Sequence, residues 1–302
     1  MKFTIFQESR IGARSYNQDR VGHWSTGSAL LMVLADGMGG HLNGEVAAQV
    51  ALESIASAFR NEAKPLLANP EQFILQVIRR AHNDIIAHAK QAGLPESPRT
   101  TVVACVVQEG FAFWSHVGDS RLYLIRSGRI VTRTRDHTRV QQLVDAGRIR
   151  EEAVASHPDR NKLLQCIGSE AAPRLEPTSV ARLVKGDVVM LCSDGLWGPI
   201  TQRQLLHAYM TAALARASRD LATLAETRAG PQCDNVSMVA MEWGEEEVAA
   251  AQSPRTVPYY ELPTDVKDFA ATDPDYMGMS DADIEKAVDE IRTALKKNQT
   301  PR

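Results

Sequence analysis

The chain has 302 residues, of which 44% are hydrophobic, 24% charged and 6% aromatic. This composition is typical of a folded globular protein and excludes an intrinsically disordered chain. The formal net charge of −3 gives no general basic surplus for binding nucleic acid or an anionic membrane. No apolar run approaches the roughly 18 residues of a membrane-spanning helix, and no apolar stretch follows Lys2 as in a secretory signal. We therefore expect a cytoplasmic protein.

The cysteines give a second indication of the compartment. They lie far apart, without a Cys-x-x-Cys pair, so neither a zinc knuckle nor a disulfide framework fits their spacing. We predict buried apolar residues in a reducing compartment. The four are Cys105, Cys166, Cys192 and Cys233.

Strand and helix patterns alternate in the first third of the chain. Residues 30–35 are an unbroken apolar run of strand length, and residues 44–59 carry apolar side chains at helical spacing. A second helix is predicted to begin at Asn69, with Pro70 at its first position and Gln72 at the capping-box position.

Strand patterns dominate the next part of the chain, with a hairpin turn at residues 127–128. Residues 145–177 are irregular and polar, as an inserted flap is, and two helices are predicted before the last strand, the first with a Thr201–Gln204 cap. Consecutive strands with paired helices favour a sandwich of antiparallel sheets with helices outside. The predicted strands are 100–108, 111–117, 121–126, 129–132, 187–193 and 235–243.

The composition changes after Gly244, where we place the end of a domain spanning 1–244. Residues 245–280 are acidic, contain prolines and lack periodicity, which predicts a linker. Residues 281–297 form a short amphipathic helix pattern, and 298–302 are predicted to be disordered. The segment after residue 244 has 13 acidic and 7 basic residues, whereas the preceding domain has 24 acidic and 27 basic residues. Tail and domain therefore carry opposite net charges.

Several aspartates lie beside glycine, serine or asparagine at the ends of predicted strands. One such Asp-Gly pair usually indicates a turn. Five together are more informative, because carboxylates at strand ends converge on one rim of a sheet and repel each other unless cations neutralise them. The five are Asp19, Asp36, Asp119, Asp194 and Asp234.

The type of ligand constrains the metal. The candidate ligands are all oxygen atoms, without histidine or cysteine at matching spacing, which favours Mg²⁺ or Mn²⁺ over zinc. Two such ions roughly 3.5–4 Å apart lower the pKa of a shared water and stabilise an in-line displacement at phosphorus. A glycine after Asp36 leaves room for a backbone carbonyl to approach an ion.

These segments occur in a recognisable order over about residues 5–243. They are Arg14 five residues before Asp19, Asp36-Gly37-Met38-Gly39-Gly40-His41 with Gly44-Glu45, Thr100-Thr101, Gly118-Asp119-Ser120-Arg121, Ser193-Asp194-Gly195-Leu196-Trp197 and Asp234-Asn235. With this set the sequence resembles the PPM-type metal-dependent serine/threonine phosphatases, the protein phosphatase 2C family, in its bacterial form.

The resemblance implies a fold and a set of roles. The fold is α+β, a four-layer αββα sandwich of two antiparallel sheets flanked by helices, with a flap insertion at about 145–177 and here a C-terminal tail. Asp36, Asp194 and Asp234 are the implied catalytic metal ligands, with Asp36 bridging two ions of Mn²⁺ or Mg²⁺. The carbonyl of Gly37 and the carboxylate of Asp19 belong to the same shell.

Two further roles are implied by the same resemblance. Asp119, with Asp194, would hold a weaker third ion, and Arg14 would bind the substrate phosphate. A guanidinium suits that role because its planar fork matches two phosphate oxygens. Met38 stands where many eukaryotic members carry a histidine proposed as the general acid, so the proton donor is not assigned.

The implied reaction is hydrolysis of phosphoserine and phosphothreonine in proteins by a hydroxide that bridges two metals, without a covalent intermediate. It would reverse bacterial Ser/Thr kinase signalling, with a cognate kinase among the partners. The alternative is a phosphopeptide-binding or scaffolding protein of low turnover on the same fold. The tail 245–302 is either a solvated linker with a small helix or an element that docks on a partner or on its own domain.

Competing chemistries lack their signatures. A cysteine phosphatase needs an arginine six residues after its nucleophile, and none of the four cysteines has one. The chain has no Gly-x-Ser-x-Gly elbow. Leu42 occupies the last glycine position of a dinucleotide fingerprint, and Ile284 replaces the closing glutamate of a calcium loop in the tail.

Overall fold

The computed structural model describes residues 1–38, 43–150, 153–154, 157–160 and 162–244. The predicted linker 245–280, helix 281–297 and end 298–302 lie outside the described residues, as do positions 39–42 of the glycine cluster and a few positions of the flap. In chain order the described elements are β1 (Phe3–Arg10), β2 (Asp19–Ser25), β3 (Ala29–Met38), α1 (Gly44–Glu62), α2 (Pro70–Gln91), β4 (Arg99–Thr100), β5 (Val102–Gln108), β6 (Phe111–Val117), β7 (Arg121–Arg126), β8 (Arg129–Arg133), α3 (Arg139–Asp145), β9 (Ser179–Arg182), β10 (Val188–Cys192), α4 (Asp194–Trp197), α5 (Gln202–Thr211), α6 (Leu214–Ala229) and β11 (Val236–Trp243).

The strands form two antiparallel sheets. One has five strands in the order β1-β11-β10-β7-β8, and the other has six strands, with β2-β3-β5-β6-β9 along its path and β4 paired to β3. Both sheets place strands from distant parts of the chain side by side, as a sandwich requires and a βαβ alternation does not. The predicted sandwich of antiparallel sheets with helices is confirmed.

Three apolar layers hold the sandwich together. The central layer lies between the sheets and joins residues such as Val21 and Leu34 to Leu122 and Leu191. The second lies under α1 and α2 on the outer face of the six-stranded sheet. The third lies under α5 and α6 on the outer face of the five-stranded sheet. Strands β5 and β10 are therefore buried on both faces, which explains their nearly continuous apolar sequences.

Two helix starts follow the caps predicted from sequence. The Asn69 side chain accepts a hydrogen bond from the Gln72 backbone N–H, and Pro70 is the first residue of α2. Before α5, Thr201 and Gln204 form a reciprocal capping box. These caps satisfy backbone donors that the first turn of a helix leaves without intrahelical partners.

Some elements were not predicted. They include the strands β1 and β2, the edge strand β9, the helix α3 and the single turn α4. An isolated antiparallel β-bridge pairs Thr138 with Leu163, on either side of α3 and the first part of the irregular region. None of the described helices combines the length and apolar character that a bilayer crossing requires.

Candidate metal centre

The two sheets bring aspartates to one end of the sandwich. Asp19 begins β2 and lies directly opposite Asp36 of the neighbouring β3. On the other sheet, Asp194 follows β10 and begins α4, and Asp234 precedes β11. Asp119 lies in the turn between β6 and β7, which belong to different sheets. The end of each sheet thus contributes carboxylates to one cluster.

Burial and mutual repulsion act on these carboxylates. Burial raises the pKa of Asp19 to about 7, with further contributions from the charges of Asp194 and Asp234. Burial raises the pKa of Asp194 to about 6, and Asp234 adds to the shift. A carboxylate removed from water and placed beside others loses the solvation that favours its ionised form.

Asp36 and Asp119 show the same effect. Burial raises the pKa of Asp36 well above its ordinary value, and repulsion from Asp19 and Asp194 adds to it. Burial likewise raises the pKa of Asp119, with repulsion from Asp194 as the next cause. A cluster of this kind is fully ionised only when cations compensate its charge.

Arg14 supplies a positive charge at the mouth of the cluster. Its Nη2 atom lies 2.6 Å from Oδ2 of Asp234, and the side chain is more than half exposed. The nearby Asp194 and Asp36 also contribute to raising the pKa of the guanidinium. The arginine therefore pairs with a member of the cluster while most of its side chain stays open to solvent.

The donor set fits hard divalent cations. The carboxylates offer oxygen only, and a Cβ at Gly37 would collide with the carbonyl oxygen of Gly44, so only glycine allows this close passage of the backbone. Within the described residues no three histidine, cysteine, aspartate or glutamate side chains are grouped closely enough to hold an ion as they stand. Mg²⁺ and similar ions retain several waters and need only one or two carboxylates each, whereas a structural zinc site is closed by four side chains.

Hydroxyl groups that the sequence analysis left without a role hold two of the aspartates. The backbone N–H of Asp36 donates to Oγ1 of Thr101, and Oγ1 of Thr100 donates to the carbonyl of Asp36. Ser193 Oγ donates to Oδ2 of Asp19 at 2.8 Å. The sequence shows Thr100, Thr101 and Ser193 as members of the ordered motifs, but it does not indicate which aspartates they contact. The contacting residues lie far apart in the chain.

A second network supports Asp119. The guanidinium of Arg121 makes two hydrogen bonds to the buried Asp136, of 2.8 and 2.7 Å, and lies 3.4 Å from the ring centroid of Trp197. The indole Nε1 of Trp197 donates to the carbonyl oxygen of Asp119 at 2.9 Å. Trp197 thus joins α4 to the turn that carries Asp119.

An open cleft of about 630 Å³ leads to the cluster. Arg14, Asp119, Asp194 and Asp234 line it, together with Arg160 from the irregular region. The structure therefore brings the predicted phosphate-binding arginine and three of the predicted metal ligands to one concave surface. Asp19 and Asp36 do not line the cleft, and they interact electrostatically with the carboxylates that do.

Comparison with known proteins gives one family. The family model described as "Protein phosphatase 2C" matches residues 6–227. The chain is 35% identical to the serine/threonine protein phosphatase PstP of Mycobacterium tuberculosis over 231 residues, which are 76% of this chain and 42% of that protein. It is 31% identical to a putative protein phosphatase 2C-type protein of Streptococcus pyogenes, over 78% of this chain and 95% of that protein. The chain thus matches less than half the length of the mycobacterial relative.

A solved structure shows the same architecture. The catalytic domain of the serine/threonine protein phosphatase PstP, in complex with two manganese ions, superposes with a TM-score of 0.67 at 32% identity. The superposition covers 80% of this chain and 98% of that domain. The described part of this chain therefore has a fold similar to that of this catalytic domain.

Proposed function

This chain belongs to the protein phosphatase 2C family, and from that membership we propose that it hydrolyses phosphoserine and phosphothreonine in proteins. The observation that carries the proposal is the oxygen-only aspartate cluster with Arg14 at its mouth, at the end of an open cleft. Neither part alone would indicate a phosphatase. Together they offer a site for divalent cations and a donor for the phosphate that those cations would bind.

We assign the cation ligands as follows. Asp36 would bridge two ions of Mn²⁺ or Mg²⁺, Asp194 and Asp234 would complete the shell with the carbonyl of Gly37, and Asp19 would support it. When bound, the ions supply charge neutralisation and an activated water for in-line attack at phosphorus. Manganese in the related PstP domain supports this assignment. We further propose that Asp119 and Asp194 hold a weaker third ion.

The side chains themselves bind and orient the substrate. The guanidinium of Arg14 donates to two phosphate oxygens and directs the phosphoryl group towards the carboxylate cluster. Cys233, a thiol at the cleft wall, is buried, burial raises its pKa, and its Sγ donates to the Asp234 carbonyl. It is therefore unsuited to nucleophilic attack, in keeping with hydrolysis without a covalent intermediate.

The partners follow from this chemistry. Phosphorylated serine and threonine proteins are the proposed substrates, and by family membership a cognate Ser/Thr kinase is among them. All four cysteines are unpaired, which supports a reducing compartment and hence a cytoplasmic location. Docking of the acidic tail 245–302 on a partner or on its own domain remains a proposal from charge alone, and comparing partner binding by the full chain and a chain ending at Gly244 tests it.

Two variants test the site. Asp36→Asn and Asp234→Asn keep side-chain shape but remove a ligand charge, and we expect phosphothreonine-peptide turnover with Mn²⁺ to fall below about 1% of wild type. Asp220→Asn, on the exposed face of α6, is the control and should retain full activity. Wild-type turnover in a folded Asp36→Asn protein would contradict the assignment.

The scaffolding alternative is not favoured, because all five predicted carboxylates are present. That alternative predicts Mn²⁺ binding without turnover in the wild type.

A further inference from the structure

The loop that carries Arg14 is built onto the segment that carries Asp234. The loop comprises residues 11–18, between β1 and β2. Its Ala13 N–H donates to the carbonyl of Cys233 at 3.0 Å. Gly12 has a φ of 62°, and a Cβ there would collide with the carbonyl of Asp234, so the two segments touch through their backbones.

One side chain fastens both ends of this loop. Asn235 is 4% exposed, and its Nδ2 donates to the carbonyl of Ile11 at 2.9 Å and to that of Tyr16 at 3.1 Å. Its Oδ1 accepts from the backbone N–H of Gln18 at 2.8 Å. The two amide hydrogens and the carbonyl oxygen of this side chain are thus all used on one loop, on either side of Arg14.

Few side chains can replace this set of contacts. The site requires two donors and one acceptor on a short stem, which asparagine supplies and aspartate, serine or alanine does not. The carbonyl of Gln18 accepts from the N–H of Gly37 at 3.1 Å, so the same hydrogen-bonded path reaches the glycine after Asp36. The backbone N–H of Asn235 donates to Oδ1 of Asp234, a contact that does not depend on the side chain.

We propose that Asn235 is a positioning residue that sets where Arg14 meets the substrate phosphate. The inference rests on the proposed function, since it acts on the same site. Asn235 does not touch the phosphate itself. It holds the loop at the distance from Asp234 at which the guanidinium reaches a phosphoryl group beside the carboxylate cluster, and displacement of such a group by about 1 Å is enough to cost up to about 100-fold in rate.

The experiment is a double-mutant cycle on the Mn²⁺-loaded full chain. Arg14→Gln, Asn235→Ala and the double variant are assayed for kcat and KM with a phosphothreonine peptide and for competitive inhibition by inorganic phosphate. We expect Asn235→Ala to raise the inhibition constant of phosphate by about 10-fold or more, and the double variant to be no worse than Arg14→Gln alone. Mn²⁺ affinity by calorimetry should stay within about twofold of wild type.

The control distinguishes displacement of the loop 11–18 from a general loss of stability. Asn69→Ala removes a side-chain hydrogen bond at the start of α2, and phosphate inhibition should be unchanged in it. A folded Asn235→Ala protein with wild-type phosphate inhibition overturns the proposal. The proposal also fails if the effects of the two single variants on the inhibition constant multiply in the double variant. If Asn235→Ala does not fold, Asn235→Ser replaces it, with the same criteria.

The outcome for Asn235 is distinguishable from that for the proposed function. If the wild type with Mn²⁺ does not turn over phosphopeptide, the proposed function fails, and calorimetric binding of inorganic phosphate to the same variants then decides the role of Asn235. If the wild type is active and Asn235→Ala behaves like it, only the inference fails.

Discussion

At the scale of single residues, the sequence predicts the acidic ligands better than their supports. Asp36 and Asp194 stand out because each comes at the end of an apolar run and is followed by a glycine. The hydroxyls of Thr101 and Ser193 gain their roles only through contacts with Asp36 and Asp19, which lie far away in the chain. Such contacts depend on the register of the folded sheets, which local sequence patterns do not determine.

The cost of assembling the carboxylates gives a residue-scale prediction. Asp36→Asn removes a partly desolvated charge that Asp19, Asp194 and Asp119 repel. In the presence of a chelator at pH 8 we expect the variant to be more stable than wild type by about 1–2 kcal/mol, although it is inactive. Urea unfolding measures the difference, with Asp220→Asn as the control expected within about 0.5 kcal/mol of wild type. A clearly less stable Asp36→Asn protein would contradict this account of the cluster.

At the scale of elements, the long continuous apolar patterns were predicted, whereas the exposed elements β9 and α3 were missed, as were the buried strands β1 and β2, whose sequences mix apolar and polar residues. The strands at 111–117 and 121–126 agree with β6 and β7, because alternating or continuous apolar residues leave few other options. The edge strand β9 (Ser179–Arg182) is mostly exposed and carries no such pattern. Helix α3 (Arg139–Asp145) has only two buried residues, so its apolar stripe is too short to recognise.

Strand β7 carries two similar ion pairs, and only one of them is near the site. Arg121 binds Asp136 with two hydrogen bonds and stacks on Trp197, whereas Arg126, at the far end of the strand, binds Asp187 with the same distances of 2.8 and 2.7 Å. Their similar geometry makes Arg126→Lys a matched control for Arg121→Lys, because lysine keeps the charge and loses the planar fork in both.

We expect Arg121→Lys to raise the Mn²⁺ concentration for half-maximal activity several-fold, because the Trp197–Asp119 contact loses its stacked cation. Each lysine variant should lower the free energy of unfolding by about 1–3 kcal/mol. Activity titrations with Mn²⁺ and urea unfolding of both proteins provide the comparison. Equal Mn²⁺ dependence in the two variants would show that the Arg121 network stabilises the fold without supporting the site.

At the scale of the whole molecule, the site exists because the ends of strands from both sheets lie at the same end of the sandwich. Neither sheet alone carries Asp36, Asp119, Asp194 and Asp234, so the cluster requires the correctly packed sandwich. The layered architecture could be predicted from the order of strands and helices, but the pairing of β1 with β11 and of β10 with β7 could not. Those pairings join residues more than 60 positions apart, beyond the reach of local patterns.

The interface between the sheets also has a pH dependence. His23 of β2 is buried against Gln7 of β1, and burial lowers its pKa to about 4. Since an unfolded histidine has a pKa near 6.5, the unfolded state binds the proton first as the pH falls, and the folded state loses stability between about pH 6.5 and 4. From pH 7.5 to 5 this histidine should cost about 2 kcal/mol.

His23→Gln isolates the effect, because glutamine retains a partner for Gln7 and does not titrate. The wild type should lose about 2 kcal/mol more than the variant over that interval, measured by urea unfolding at each pH with a chelator present. The aspartates with raised pKa values act in the opposite direction, since they bind protons in the folded state, but they do so in both proteins. Parallel pH profiles of the two proteins would contradict the prediction.

The central claim is that the aspartate cluster holds divalent cations that the hydrolysis of phosphoproteins requires. The most direct measurement is turnover of a phosphothreonine peptide by the chelator-treated full chain, before and after addition of Mn²⁺. We predict no turnover without the ion and its appearance with the ion, in proportion to occupancy of the site. Undiminished turnover in chelator, or none in a folded protein that binds Mn²⁺, would contradict the claim.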